Sequence, residues 1–195
     1  MHRILSALLE TALAAVFLIP IFLYLNKTKF HNIHTTLAAL LFALYLSAVY
    51  AMVGMPNITY IRFDPSFNFV PFLYFFTDVT SLLNVFLFVP LGFFLPILRS
   101  KFRKFWPTLA FGFLMSVFIE VFQIFTLRAT DVNDLITNTF GTIVGYFCGW
   151  LLLKAFPKLT LVEETNELKT ICGSVLVVMF FFQPFLSNFV WNHLL

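Results

Sequence analysis

The residues best equipped for chemistry lie between Ser116 and Gly149, where the chain reads SVFIEVFQIFTLRATDVNDLITNTFGTIVGYFCG. An apolar run carries Glu120 and Gln123. A short polar link follows, with Arg128, Asp131 and Asp134, and a second apolar run opens on Asn138. Carboxylates, amides and a guanidinium can grip a polar headgroup through hydrogen bonds and ion pairs. A buried carboxyl such as Glu120 can also serve as a general acid or base. In lipid an unpaired charge costs at least about 2.5 kcal/mol at mid-membrane, so these groups need partners or a task. Glu120 and Gln123 are three apart and neighbours on one helix face. Asp131, Asp134 and Asn138 follow at intervals of three and four. They share a face if a helix begins near Asp131, and Asp131 or Asn133 could cap it. Asn84, Asn68, Asp64, Asp78 and Glu10 are the further polar groups that the elements described next could bring to the same level.

Those elements are membrane spans. Of 195 residues, 61% are hydrophobic and 11% charged, and the mean hydropathy is +0.94. A soluble domain carries about 25% charged residues. The apolar runs are continuous instead of alternating, which excludes a β-barrel and predicts an all-α integral membrane protein, a polytopic helical bundle. A span takes roughly 20 mainly apolar residues, and six candidates fit: 4–25, 35–53, 82–98, 106–127, 134–153 and 170–191. They form one transmembrane domain, 1–195. The third contains Pro90, Gly92 and Pro96 and is expected to break or bend. Gly141, Gly145 and Gly149 recur every four residues on the fifth, a spacing that permits close helix–helix contact. The loop 54–81 holds FNFVPFLYFF, too short to span and interrupted by Pro71, so it is expected at the interface or re-entrant. The N-terminal run is interrupted by Glu10 and does not read as a cleavable signal peptide.

Basic residues orient the bundle. Lys27, Lys29, Arg99, Lys101, Arg103, Lys104, Lys154, Lys158 and Lys169 fall on one side of six alternating spans, against Arg3, Arg62 and Arg128 on the other. The excess marks the cytoplasmic side and puts both termini outside. The membrane-embedded polar groups then gather in the outer leaflet, while the inner halves of the helices have almost none. A channel or carrier needs polar groups across the full thickness. The pattern instead predicts a cleft facing outward.

Other classes lack support. No basic stretch interleaves with stacking aromatics, so no nucleic-acid partner is expected. Cys148 and Cys172 form no C-x-x-C pair. No Ser-His-Asp set or H-E-x-x-H motif occurs. Arg128 among Glu120, Asp131 and Asp134 argues against a divalent cation. Neither a metal nor another cofactor is expected, and the reading leans away from an enzyme.

Three pieces together carry a resemblance to the VanZ-like membrane proteins. Asn68-Phe69-Val70-Pro71-Phe72 resembles that family's N-x-(I/V)-P-F element. Asn84-Val85-Phe86-Leu87-Phe88-Val89-Pro90-Leu91-Gly92-Phe93 resembles its N-x-x-x-F-x-P-x-G-F stretch. Glu120-x-x-Gln123, Arg128, Asp131-x-x-Asp134 and Asn138-Thr139-x-Gly141 are similar to its E-x-x-Q, R-x-x-D-x-x-D and N-T-x-G run. The similarity covers about 35–153, leaving helices 4–25 and 170–191 as flanks. Asn133 stands where many members of the family have an acid. The resemblance implies a multi-pass protein of the bacterial plasma membrane, linked to resistance to teicoplanin-type glycopeptides.

The expectation is therefore a non-enzymatic protein in contact with membrane lipids. Its polar cleft would bind an envelope lipid, a cell-wall precursor or a lipoglycopeptide. Arg128 would engage an anionic group, and Asn84, Gln123 and Asn138 would supply hydrogen bonds. Glu120, Asp131 and Asp134 would orient Arg128 and the helix ends. The rival expectations are a membrane enzyme with Glu120 as acid or base, and a flippase or transporter.

Overall fold

The computed structural model describes residues 2–63, 65–71, 79–126, 128–156 and 165–193. Asp64, Phe72, Asp78 and Lys158, all weighed in the sequence, lie outside them. Among the described residues six helices are long and apolar enough to cross a membrane: Ile4–Phe30, Ile33–Val53, Ser81–Leu98, Phe105–Gln123, Val132–Ala155 and Glu167–His193. Each matches a run expected from hydropathy, and the chain is an all-α membrane protein. Its packing divides into two compact units, Met1–Ile61 with Glu164–Leu195, and Arg62–Glu163.

The first unit holds α1 (His2–Leu25), α2 (Ile33–Val53), α6 (Thr165–Val177) and α7 (Gln183–His193). α1 ends in a π-helical turn, Asn26–Phe30, and Asn32 caps α2 by accepting the His34 N–H at 2.9 Å. α2 closes on Gly54 at φ 65°, a left-handed position that glycine takes without a Cβ clash. α6 and α7 are joined through a π-helical turn, Val178–Phe182. The cause is Pro184, which has no N–H for the carbonyl of Phe180 and whose ring would strike it in a regular helix. The freed Phe180 carbonyl accepts the Ile58 N–H at 3.1 Å instead. Glu10 lies half-buried on α1 of this unit.

The second unit holds the residues of interest. Its helices are α3 (Val79–Leu98), α4 (Phe105–Gln123) and α5 (Val132–Ala155). A short 3-10 turn, Ser100–Arg103, links α3 to α4. α3 runs through Pro90 and Pro96 without interruption, so the expected break does not occur. Packing against α5 explains this. A Cβ on Gly141 or Gly145 would collide with the carbonyls of Val85 or Val89, and one on Gly92 with the Thr142 carbonyl. A Cβ on Gly149 would stand 2.8 Å from the Phe93 carbonyl. The two backbones thus touch along a glycine seam that spans the Pro90 turn and holds the helix together there. On its other side, α5 lays the Thr142 side chain against Gly112 of α4.

Two short strands complete the unit. β1 (Phe67–Asn68) pairs in parallel with β2 (Thr130–Asp131), with Asn68 opposite Asp131. The Thr130 N–H bonds the Ser66 carbonyl at 2.9 Å, and the Arg62 N–H bonds the Phe125 carbonyl at 2.9 Å. The aromatic-rich segment, as far as it is described, is therefore tied along the α4–α5 link. The strands give it backbone partners that lipid could not supply.

Candidate functional site

α4 presents Ser116, Glu120 and Gln123 as one buried stripe, at the spacing of a single helix face. Glu120 is 3% exposed and lies one turn short of the helix end. Its Oε2 accepts the Asp131 N–H at 2.9 Å, and its backbone carbonyl accepts the Thr130 hydroxyl at 3.1 Å. One residue thus holds β2 with both its side chain and its main chain. The charges of Asp131, Asp134 and Arg128 act on the same carboxyl, the two aspartates repelling it and the arginine attracting it. Its other oxygen, Oε1, is buried and accepts no hydrogen bond among the described residues.

Asp131 caps α5, as the sequence allowed. Its Oδ1 accepts the backbone N–H and the side-chain Nδ2 of Asn133, each at 2.8 Å. Its Oδ2 accepts Asn68 Nδ2 at 3.0 Å. Three N–H donors on one carboxylate offset much of its desolvation. A carboxylate at a helix N-terminus also meets the positive end of the helix dipole. Asn133 Nδ2 reaches on to the Val70 carbonyl at 3.1 Å. Asn68 Oδ1 accepts the Val70 N–H at 3.2 Å, so both polar ends of that amide are used. Asn68 and Asn133 therefore fasten the segment that leads to Pro71.

Further along α5, Asp134 and Asn138 serve different neighbours. Asp134 Oδ1 accepts Asn84 Nδ2 of α3 at 2.7 Å. Asn138, 3% exposed, donates its Nδ2 to Ser116 Oγ of α4 at 2.9 Å. Its Oδ1 is buried and without a hydrogen-bond partner among the described residues. α5 is the hub of the unit, with polar ties to both flanking helices. Thr137 and Thr142 are fully buried and return their hydroxyls to carbonyls of their own helix. Arg128 stands half-buried between α4 and β2.

In the second unit Asn68, Glu120 and Asp131 are thus joined by hydrogen bonds, and two further pairs, Asn84 with Asp134 and Asn138 with Ser116, tie α5 to α3 and α4. Gln123 is buried in the same stripe, and Arg128 bears on it electrostatically. Ser116, Thr130 and Asn133 also belong to the network. Asn133 had a readable cue in its place beside the cap. Ser116 and Thr130 had none, because their hydroxyls serve partners 22 and 10 residues away. Among the described residues no group of three His, Cys, Asp or Glu side chains could hold a metal ion.

The opposite end of the unit has a different character. Thr108 Oγ1 bonds the Phe102 carbonyl at 2.6 Å, and the Tyr146 hydroxyl bonds the Arg103 carbonyl at 2.8 Å. These are ties of the connecting turn. Arg99 lies in the connection after α3, where the sequence placed it, and is buried at 6% exposure.

Among curated proteins, "Protein VanZ" of Enterococcus faecium is 40% identical over 65 residues, which is 32% of this chain and 38% of that protein. The chain thus matches well under half of its length. No solved structure matches. A family model described as VanZ/LLP1 matches residues 13–154, which take in the glycine seam and the whole polar network, and the chain belongs to that family.

Proposed function

We propose that the polar end of the second unit faces the cell exterior and binds the headgroup of an envelope lipid, a cell-wall precursor or a lipoglycopeptide. Bound there, the ligand would lower sensitivity to teicoplanin-type glycopeptides. The observation that carries this reading is that two buried acceptors of these side chains, Glu120 Oε1 and Asn138 Oδ1, have no hydrogen-bond partner among the described residues. Buried acceptors without donors are costly, at about 1–3 kcal/mol each. They are rare in native interiors, and they suit a ligand that brings N–H or O–H groups. Arg128 adds positive charge at the edge of the network for an anionic group on the same molecule. Such a headgroup would offer donors and a negative charge together.

The test is the pair Arg128→Ala and Arg128→Lys, scored for glycopeptide susceptibility in a host that depends on this protein. Arg128→Ala is expected to abolish protection at unchanged membrane abundance, with Arg128→Lys intermediate. Full protection by Arg128→Ala, or loss of the protein from the membrane, would remove the binding role.

One arrangement favours a second reading, an enzyme acting on an envelope lipid. Glu120 has one oxygen anchored by the Asp131 N–H and the other unoccupied, the disposition expected of an oriented acid or base. Glu120→Gln keeps the anchor and removes the exchangeable proton. Envelope lipids unchanged by that variant would exclude catalysis.

A further inference from the structure

The basic end of the second unit carries a site of its own. Pro96 of α3, Arg103 of the 3-10 turn, and Trp150, Leu153 and Lys154 of α5 line an open groove of about 420 Å³. Two cationic side chains from different elements line it, and the Lys154 ammonium lies 5.4 Å from the centre of the Trp150 ring. Trp150 also lines a second groove of about 280 Å³, whose other walls are Phe105, Tyr146 and Phe147. Those rings pack mutually, Phe105 on Tyr146 with centroids 5.4 Å apart and Tyr146 on Phe147 at 5.6 Å. The Tyr146 hydroxyl is tied to the Arg103 carbonyl, which fixes the turn that carries Arg103 against α5. A charged groove and an aromatic one thus share a tryptophan wall, near the end of a span.

We infer that this pair of grooves binds an anionic phospholipid, its phosphate between Arg103 and Lys154 and its glycerol and upper chains against the aromatic wall. Basic pockets between spans attract acidic headgroups. Tryptophans settle at headgroup level. The two adjoining grooves follow the order of polarity along a lipid, first anion and then apolar body. A free phosphate would use the first groove and gain nothing from the second. The site lies at the opposite end of α5 from the polar network, 16 positions or about 24 Å along the helix from Asn138 to Lys154, and is independent of the function proposed above.

The test uses the full chain in nanodiscs of phosphatidylcholine with a minor fraction of phosphatidylglycerol. Native mass spectrometry then reads the lipid retained on release. Arg103→Gln with Lys154→Gln is expected to lower retained phosphatidylglycerol roughly tenfold or more. Lys101→Gln with Lys104→Gln removes the same charge from exposed residues of the same turn, and retention is expected to hold. Equal losses in the two pairs, or loss in neither, would overturn the site in favour of a diffuse basic surface. Soluble glycerol 3-phosphate is expected not to displace the lipid, and displacement at millimolar concentration would reduce the site to a phosphate site. Lys154 is exposed, so Lys154→Glu alone decides the matter if the Arg103 variant does not fold. It should also abolish retention, and normal retention would refute the site.

Discussion

Asn84 of α3 donates its side-chain N–H to Asp134 of α5 at 2.7 Å, across 50 residues of sequence. The bond joins the first half of α3 to the first turn of α5, just beyond the end of the glycine seam. An amide that meets a carboxylate in a half-buried setting forms a charge-assisted bond. A double-mutant cycle with Asn84→Ala and Asp134→Ala, read by denaturant unfolding in micelles, should give a coupling of about 1–2 kcal/mol. A coupling indistinguishable from zero would mean that the two side chains do not meet in the membrane.

Glu120 offers a sharper contrast. Glu120→Gln retains an oxygen for the Asp131 N–H, whereas Glu120→Ala leaves that buried donor without one. Glu120→Ala is expected to lose about 1–3 kcal/mol of stability, and Glu120→Gln less than half as much. Proteolysis between Arg128 and Asp134 should accelerate in the alanine variant alone, because it lacks the side-chain oxygen that accepts the Asp131 N–H and helps to hold β2. Matching behaviour in both variants would contradict the assigned bond.

The seam between α3 and α5 can be probed by adding single methyl groups. Gly145→Ala drives a Cβ into the Val89 carbonyl, and overpacking of this kind typically costs about 1–3 kcal/mol. Gly173 of α6 has nothing within 4 Å of an added Cβ. Gly173→Ala should therefore be neutral or stabilise by up to about 1 kcal/mol through helix propensity. Thermal unfolding of the two purified variants separates the cases. Equal melting points would disprove the close approach.

Pro184 makes a prediction about a residue far from it in sequence. Pro184→Ala restores an N–H that competes for the Phe180 carbonyl, now bonded to Ile58. Exchange of the Ile58 amide should then speed up several-fold, as expected when a hydrogen bond worth about 1 kcal/mol is lost. Hydrogen-exchange mass spectrometry of the peptide around residues 56–60 reads this directly.

The sequence made the spans legible because continuous apolar runs of roughly 17–25 residues have few alternatives in water or lipid. Glu120, Asp134 and Asn138 stood out for a related reason, since polar groups in such runs are expensive enough to be informative. Gly141 and Gly145 were readable as contact positions from their spacing, although their partner was not. The β1–β2 pairing was invisible. Two residues cannot display an alternating pattern, and what joins Asn68 to Asp131 is a backbone ladder between segments more than 60 residues apart. At Pro90 and Pro96, where a break or a bend is expected, α3 does not break, for the opposite reason. Local propensity favours a break there, and packing against α5 overrides it. The split of the chain into two compact units likewise left no mark in composition, because the helices of both units are apolar enough to span a membrane.

The backbone-to-backbone seam has a mechanical corollary. Helices that touch without intervening side chains have no compressible layer between them, so α3 and α5 should respond to any guest as a single beam. Room at the polar end must then be made on the α4 side or by release of the strand that carries Asn68 and Val70. A search for an opened state should begin with the hydrogen bonds of Asn133, whose one amide spans that movable edge.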